Sequence, residues 1–143
     1  MVFIPIHSYI HKDEKYEVCY KMKFKLGFYS HIPLARVNGR LYMPAFIGKY
    51  IDEMASRCET LMLFSHTENY SVSMHDYQLK ANAISLIDLG KKQKAPIRFL
   101  FGFIYLLPLL KNIKAINHII VRTPTPLSHW FKLIIPDKKL SYL

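Results

Sequence analysis

Five short segments of this 143-residue chain carry the side chains best suited to act on a ligand. In Val121-Arg122-Thr123-Pro124-Thr125-Pro126-Leu127-Ser128, an arginine and two threonines precede what reads as a helix start, with Thr125 as cap and Pro126 as first helical residue. A guanidinium beside the free amides of a helix N-terminus suits an anion, since both offer N–H donors and positive charge. The competing reading makes Thr125 only a cap and pairs Arg122 with a neighbouring carboxylate. His31, and His66 with Thr67, stand at the ends of strand-like segments, and Asp88 closes another. Histidine changes charge near neutral pH, so His31 or His66 is placed to orient or deprotonate a hydroxyl. Lys91, Lys92, Lys94 and Arg98 form a basic cluster fit for phosphates or an anionic membrane.

Much other chemistry is excluded. The sequence has no GxGxxG, no Walker glycine–lysine loop, no GxSxG, no HExxH and no Asp-x-Asp. His7 and His11 are four apart but lack a nearby third ligand, so no metal site is expected. Cys19 and Cys58 make no disulfide framework and read as reduced thiols of a cytosolic protein.

The elements that must position these residues follow from periodicity. Between Tyr16 and Phe28 every even position is apolar and Lys21, Lys23 and Lys25 fall between, a strand with one wet face. Residues 31–40, with Pro33 and Asn38-Gly39, read as a loop. Pro44 opens a helix whose apolar stripe is Phe46, Ile47, Tyr50, Ile51 and Met54. Thr60–Phe64 is a strand buried on both faces, 83–89 a third strand closed by Gly90, and 116–121 a fourth. Helices are expected over 96–111, where Gly102 and Pro108 leave the end point open, and from Thr125 to about Ile135; a last strand begins at Lys139. Strands alternating with helices imply an α/β domain with a mostly parallel sheet built from βαβ units.

Charge is uneven. Residues 1–90 hold ten basic and nine acidic side chains, whereas 91–143 hold ten basic and only Asp137. That asymmetry points to a polyanionic neighbour. The most apolar run, Phe99–Leu110, is twelve residues, too short to span a bilayer. It reads either as a buried core helix or as an interfacial helix pressed into anionic lipid.

Taken in order, the segments resemble a known family. Phe28-Tyr29-Ser30-His31-Ile32-Pro33-Leu34 with Asn38-Gly39-Arg40-Leu41-Tyr42 looks like a first strand and acceptor loop. Phe46–Met54, Phe64-Ser65-His66-Thr67-Glu68 and Val121–Leu127 continue the likeness. Together they resemble the N-terminal domain of GT-B glycosyltransferases, the family-four (glycosyltransferase group 1) enzymes of bacterial polysaccharide assembly. The resemblance implies a Rossmann-like domain over 23–143, with helices on both faces of its sheet, forming one half of a GT-B fold. Residues 1–22 are then an extension or an extra strand. It also implies acceptor contacts from Asn38, Gly39, Arg122, Thr123 and Thr125, with His31 or His66 as the catalytic group. In such enzymes a second domain supplies most of the nucleotide-sugar site, including an E-x7-E pair that this sequence lacks. The chain is therefore expected to be an acceptor-side half, truncated or split, inactive alone and without a cofactor of its own.

Three functions follow as expectations. The first is binding of a glycan or lipid-linked acceptor, for a protein peripheral at the cytoplasmic face of the membrane and completed by a donor domain or second subunit. The second is a non-catalytic module with a degenerate transferase fold. The third, a nucleic-acid binder, is disfavoured because Phe99, Phe101, Phe103 and Tyr105 sit in an apolar run rather than interleaved with Lys and Arg.

Overall fold

Gly27, Phe28, Tyr29 and Ser30 are all buried, and the chain is organised around the strand that holds them. The structure is a computed structural model that describes residues 22–92, 94–125, 127–136 and 139–143. Its elements are β1 (Met22–Val37), β2 (Arg40–Met43), α1 (Ala45–Arg57), β3 (Cys58–Thr67), β4 (Tyr77–Gln78), β5 (Ile84–Lys91), α2 (Ala95–Leu100), α3 (Gly102–Asn112), a 3-10 turn (Ile113–Ala115), β6 (His118–Val121), α4 (Ser128–Ile134) and β7 (Leu140–Tyr142). His7, His11, Cys19 and the start of the Tyr16–Phe28 alternation lie outside the described residues.

The fold is mixed α/β with an open seven-stranded sheet, compatible with a Rossmann-like fold. β1 pairs in parallel with β3 and with β6, β3 with β5, and β6 with β7. The parallel strands therefore lie in the order β7-β6-β1-β3-β5. From β1 the chain steps outward through β3 to β5, then returns to the other side of β1 for β6 and β7. β2 and β4 add antiparallel pairs at the far end of β1.

Alternate residues feed two cores. Phe28, Leu61 and Leu63 pack with Ile47, Ile51 and Ala55 of α1. Tyr29, Phe64, Ile119 and Val121 pack with Leu106 and Leu109 of α3 and Phe131 of α4. Fully burying such a side chain stabilises by about 1.5–3 kcal/mol, so adjacent Phe28 and Tyr29 commit β1 to cover on both sides. The expected wet face is thus confined to its start, where Lys25 is half-buried.

Residues 31–37, expected as loop, continue β1 instead. Leu34 and Ala35 are fully buried, and Leu34 pairs with Thr67 beyond a register shift after Ser30. Pro33 cannot donate to a ladder, and bulges accommodate such a residue. Hydroxyls supply the missing bonds there. Ile32 N–H donates to Ser30 Oγ at 3.2 Å, and Ser65 Oγ donates to Ile32 O at 3.0 Å. Asn38 (φ 49°) and Gly39 (φ 78°) then turn the chain into β2, as two-residue hairpins require.

Two helical expectations are also revised. The helix placed over 96–111 breaks at Phe101 (φ −108°, ψ 23°) into α2 and α3. The break lets Gly102 approach α4, where an added Cβ would collide with Trp130. The helix placed from Thr125 starts at Ser128, with Leu127 at its cap position. Thr125 precedes a proline, which disfavours helical backbone. Its Oγ1 lies 3.4 Å from Leu127 N–H, so it braces the turn ahead of the helix.

Candidate functional site

The carboxyl edge of the parallel sheet is stepped. β6 ends at Val121 opposite Tyr29, and β7 ends level with it at Tyr142. β1 and β3 run on to the Leu34–Thr67 pair, and β5 keeps pace to Lys91. The step is five residues deep, about 15 Å of strand. It lies between β1 and β6, where the order of strands reverses, and open α/β sheets bind ligands at such a crevice.

Arg122 stands at the foot of the step. Its N–H donates to Tyr29 O at 3.2 Å, extending the β1–β6 ladder by one bond. Its guanidinium lies over the Phe46 ring, with Cζ 5.5 Å from the centroid. Nη1 is shut from solvent and has no hydrogen-bond partner among the described residues. No carboxylate forms an ion pair with it there. A buried, unpaired guanidinium nitrogen costs stability. Arg122 as a whole is only half-buried, so a guanidinium so placed can offer N–H donors to an anionic group.

Phe46 was expected in the buried stripe of its helix, yet it is 65% exposed. The buried positions of α1 are Ile47, Gly48, Ile51 and Ala55, a narrower stripe rotated away from Phe46 and Tyr50. The small residues Gly48 and Ala55 carry no hydropathy signal of their own, yet they mark the buried side. Phe46 lines a groove of about 410 Å3 with Pro44, Ala45, Ser73, Met74 and Asp76. Asp76 Oδ1 accepts the Ala45 N–H at 2.8 Å, capping α1 from a distant loop. Sequence spacing could not reveal that cap, because 31 residues separate the partners.

The other residues of the Arg122 segment are braced by the protein itself. Thr123 N–H and Oγ1 both donate to Leu143 O, at 2.8 and 2.9 Å. Thr125 is buried, with Oγ1 3.4 Å from the Tyr29 hydroxyl. Arg122 alone of the three turns toward α1. His31 is half-buried on the part of β1 that outruns β6.

A second polar group sits at the ends of β3 and β5. Thr67 Oγ1 donates to both oxygens of Asp88, at 3.1 and 3.0 Å, and Gly90 N–H donates to Asp88 at 2.7 Å. His66 is fully buried, its Nδ1 3.2 Å from Gly90 O and its ring edge-on to Tyr105. His75 is buried too, with Nε2 3.4 Å from Glu68. Thr67, Glu68, Asn69 and Lys91 line a groove of about 230 Å3.

Asn38 and Gly39 are not brought to the step. They form the exposed tip of the β1–β2 hairpin, eight strand residues past Tyr29. Gly39 instead lines a groove of about 430 Å3 with Arg40, Gln78, Lys80 and Asn82. Lys91, the last residue of β5, and Lys92 and Lys94, between β5 and α2, are exposed, and Arg98 lies in α2. Among the described residues no group of three His, Cys, Asp or Glu side chains is placed to hold a metal ion. No family model, characterised protein or solved structure matches this chain.

Proposed function

We propose that this chain is the acceptor-side, Rossmann-like half of a GT-B glycosyltransferase, doubly wound about β1, and that it holds a lipid-linked or polysaccharide acceptor in the step beside Arg122. One observation carries the reading: a guanidinium with a nitrogen unpaired among the described residues, lying over an exposed aromatic ring, at the reversal of strand order. Phosphate of a lipid-linked acceptor suits Arg122. The apolar face of a sugar suits Phe46 and Met74, while Asp76 in the same groove accepts from sugar hydroxyls. Expected motifs for nucleotide cradling are missing, so the donor belongs to a further domain or subunit.

In the complete reaction the bond from the anomeric carbon to the donor diphosphate breaks and a bond to the acceptor oxygen forms. The nucleoside diphosphate leaves, and the acceptor hydroxyl gives up its proton. His31, on the wall of the step, takes that proton in this reading. His66, enclosed and held by Gly90 O, positions the β3–β5 edge. Asn38 and Gly39 turn the β1–β2 hairpin and take no part at the step.

The test is calorimetric titration of the purified chain with a short-chain prenyl-diphosphate-linked sugar, and separately with a nucleotide-sugar. The acceptor analogue is expected to bind, and Arg122→Met to weaken it by roughly tenfold or more. Absence of acceptor binding, or binding that Arg122→Met leaves unchanged, refutes the proposal.

A further inference from the structure

We propose that α2, α3 and α4 present a face that docks on an anionic lipid bilayer. Helix α3 is apolar around nearly its whole circumference, with no charged residue before Lys111. A helix of that kind is normally enclosed. Here only Gly102, Leu106 and Leu109 are buried within it. Phe103, Ile104 and Leu107 are each about half exposed, and Leu100, Phe101 and Leu133 join them from α2, the break and α4. Large apolar side chains exposed in such number on neighbouring helices mark an interaction site.

Its surroundings identify the occupant by charge. Lys91, Lys92 and Lys94 precede α2, Lys111 lies in the last turn of α3, Lys114 follows it, and Lys132 lies on α4, all exposed. No acidic residue occurs from 89 to 136. A second copy seated by twofold symmetry would set one lysine rim against another, which repels. An anionic bilayer meets both features: cations at the headgroups, apolar side chains at the acyl boundary. No helix of the described residues is long and apolar enough to cross a membrane, so the face lies on the surface rather than spanning it. Trp130 packs against Phe103 with ring centroids 6.1 Å apart, placing an amphipathic ring at this face. The proposal stands apart from the sugar-transfer reading; vesicle binding without acceptor binding would separate them.

Trp130 is the single tryptophan of the chain and reports directly on docking. The full chain is mixed with vesicles of phosphatidylcholine alone, or of phosphatidylcholine with phosphatidylglycerol, with brominated acyl chains as quenchers. Quenching is expected on the mixed vesicles and little on the neutral ones. Replacing Lys91, Lys92 and Lys94 with Gln should weaken binding by up to about fivefold per residue. Leu100→Ser with Leu107→Ser should abolish quenching while far-UV circular dichroism stays unchanged. If that pair disturbs the fold, the lysine variant alone decides. Equal binding to both vesicle types, or Trp130 buried by concentration-dependent dimerisation in light scattering, overturns the proposal.

Discussion

Replacing Arg122 with methionine should leave the protein as stable as before, or more so, while removing its affinity for anions. The substitution deletes a buried nitrogen that has no partner among the described residues, and leaving such a donor unsatisfied costs about 1–3 kcal/mol. It also deletes the cation–π contact with Phe46, worth about 0.5–1 kcal/mol because that ring is 65% exposed. Methionine keeps an unbranched apolar stem at this position, and the Arg122 backbone bond to Tyr29 O is unaffected. The balance runs from about zero to a gain of about 2 kcal/mol, an increase in midpoint temperature of up to about 8 °C. A charge-assisted bond to phosphate is worth about 1.5–3 kcal/mol, so affinity for an anionic probe should fall by roughly 10- to 150-fold. Urea denaturation followed by Trp130 fluorescence measures the first quantity, and calorimetry with inorganic pyrophosphate the second. A loss of stability above about 1 kcal/mol would make Arg122 a structural brace and refute the argument. So would undiminished pyrophosphate affinity.

Other expectations test the scaffold and the reaction. Asp52 accepts from the Tyr77 hydroxyl (2.8 Å) and from the N–H groups of Lys80 and Ala81 (3.1 and 3.0 Å), so Asp52→Ala should cost about 2–3 kcal/mol in urea denaturation. That hydrogen bond, with burial and the Asp52 charge, raises the Tyr77 pKa above the usual 10.0. The protonated phenol is therefore the stabilised form: its contribution is full below about pH 10 and is lost as pH climbs through the raised value, so the gap between wild type and Tyr77→Phe should narrow in alkali. Gly102→Ala would drive a methyl into Trp130 and Leu127, and should cost about 1–3 kcal/mol by overpacking, read from the thermal midpoint. Purified residues 1–143 should turn over no nucleotide-sugar in a product assay; any transfer would show that they hold a donor site.

What this amino-acid sequence determined by itself is the alternation of strands and helices, because period-two and helical apolar spacing state locally how much of each segment must leave water. It likewise determined the basic third of the chain and the position of Arg122 just past a strand. The terminal strand from Lys139 was legible too, and it pairs with β6. Tertiary structure decided the rest. Apolar spacing states a demand for burial but not the partner that meets it. Phe28 and Tyr29 look alike in sequence, yet they enter different cores because β1 is flanked by β3 and β6. Residues 31–37 read as loop because Pro33 and nearby polar groups break the pattern, but pairing with β3 and the hydroxyls of Ser30 and Ser65 hold them in the sheet. The apolar run around α3 read first as a buried core helix and second as an interfacial one, and only the packing of Leu106 and Leu109 against the sheet left its other side open. The candidate site is the extreme case. Arg122 and Phe46 are 76 positions apart, and they meet only because β6 stops opposite Tyr29 while β1 runs on, a register set by strand pairing that no local window contains.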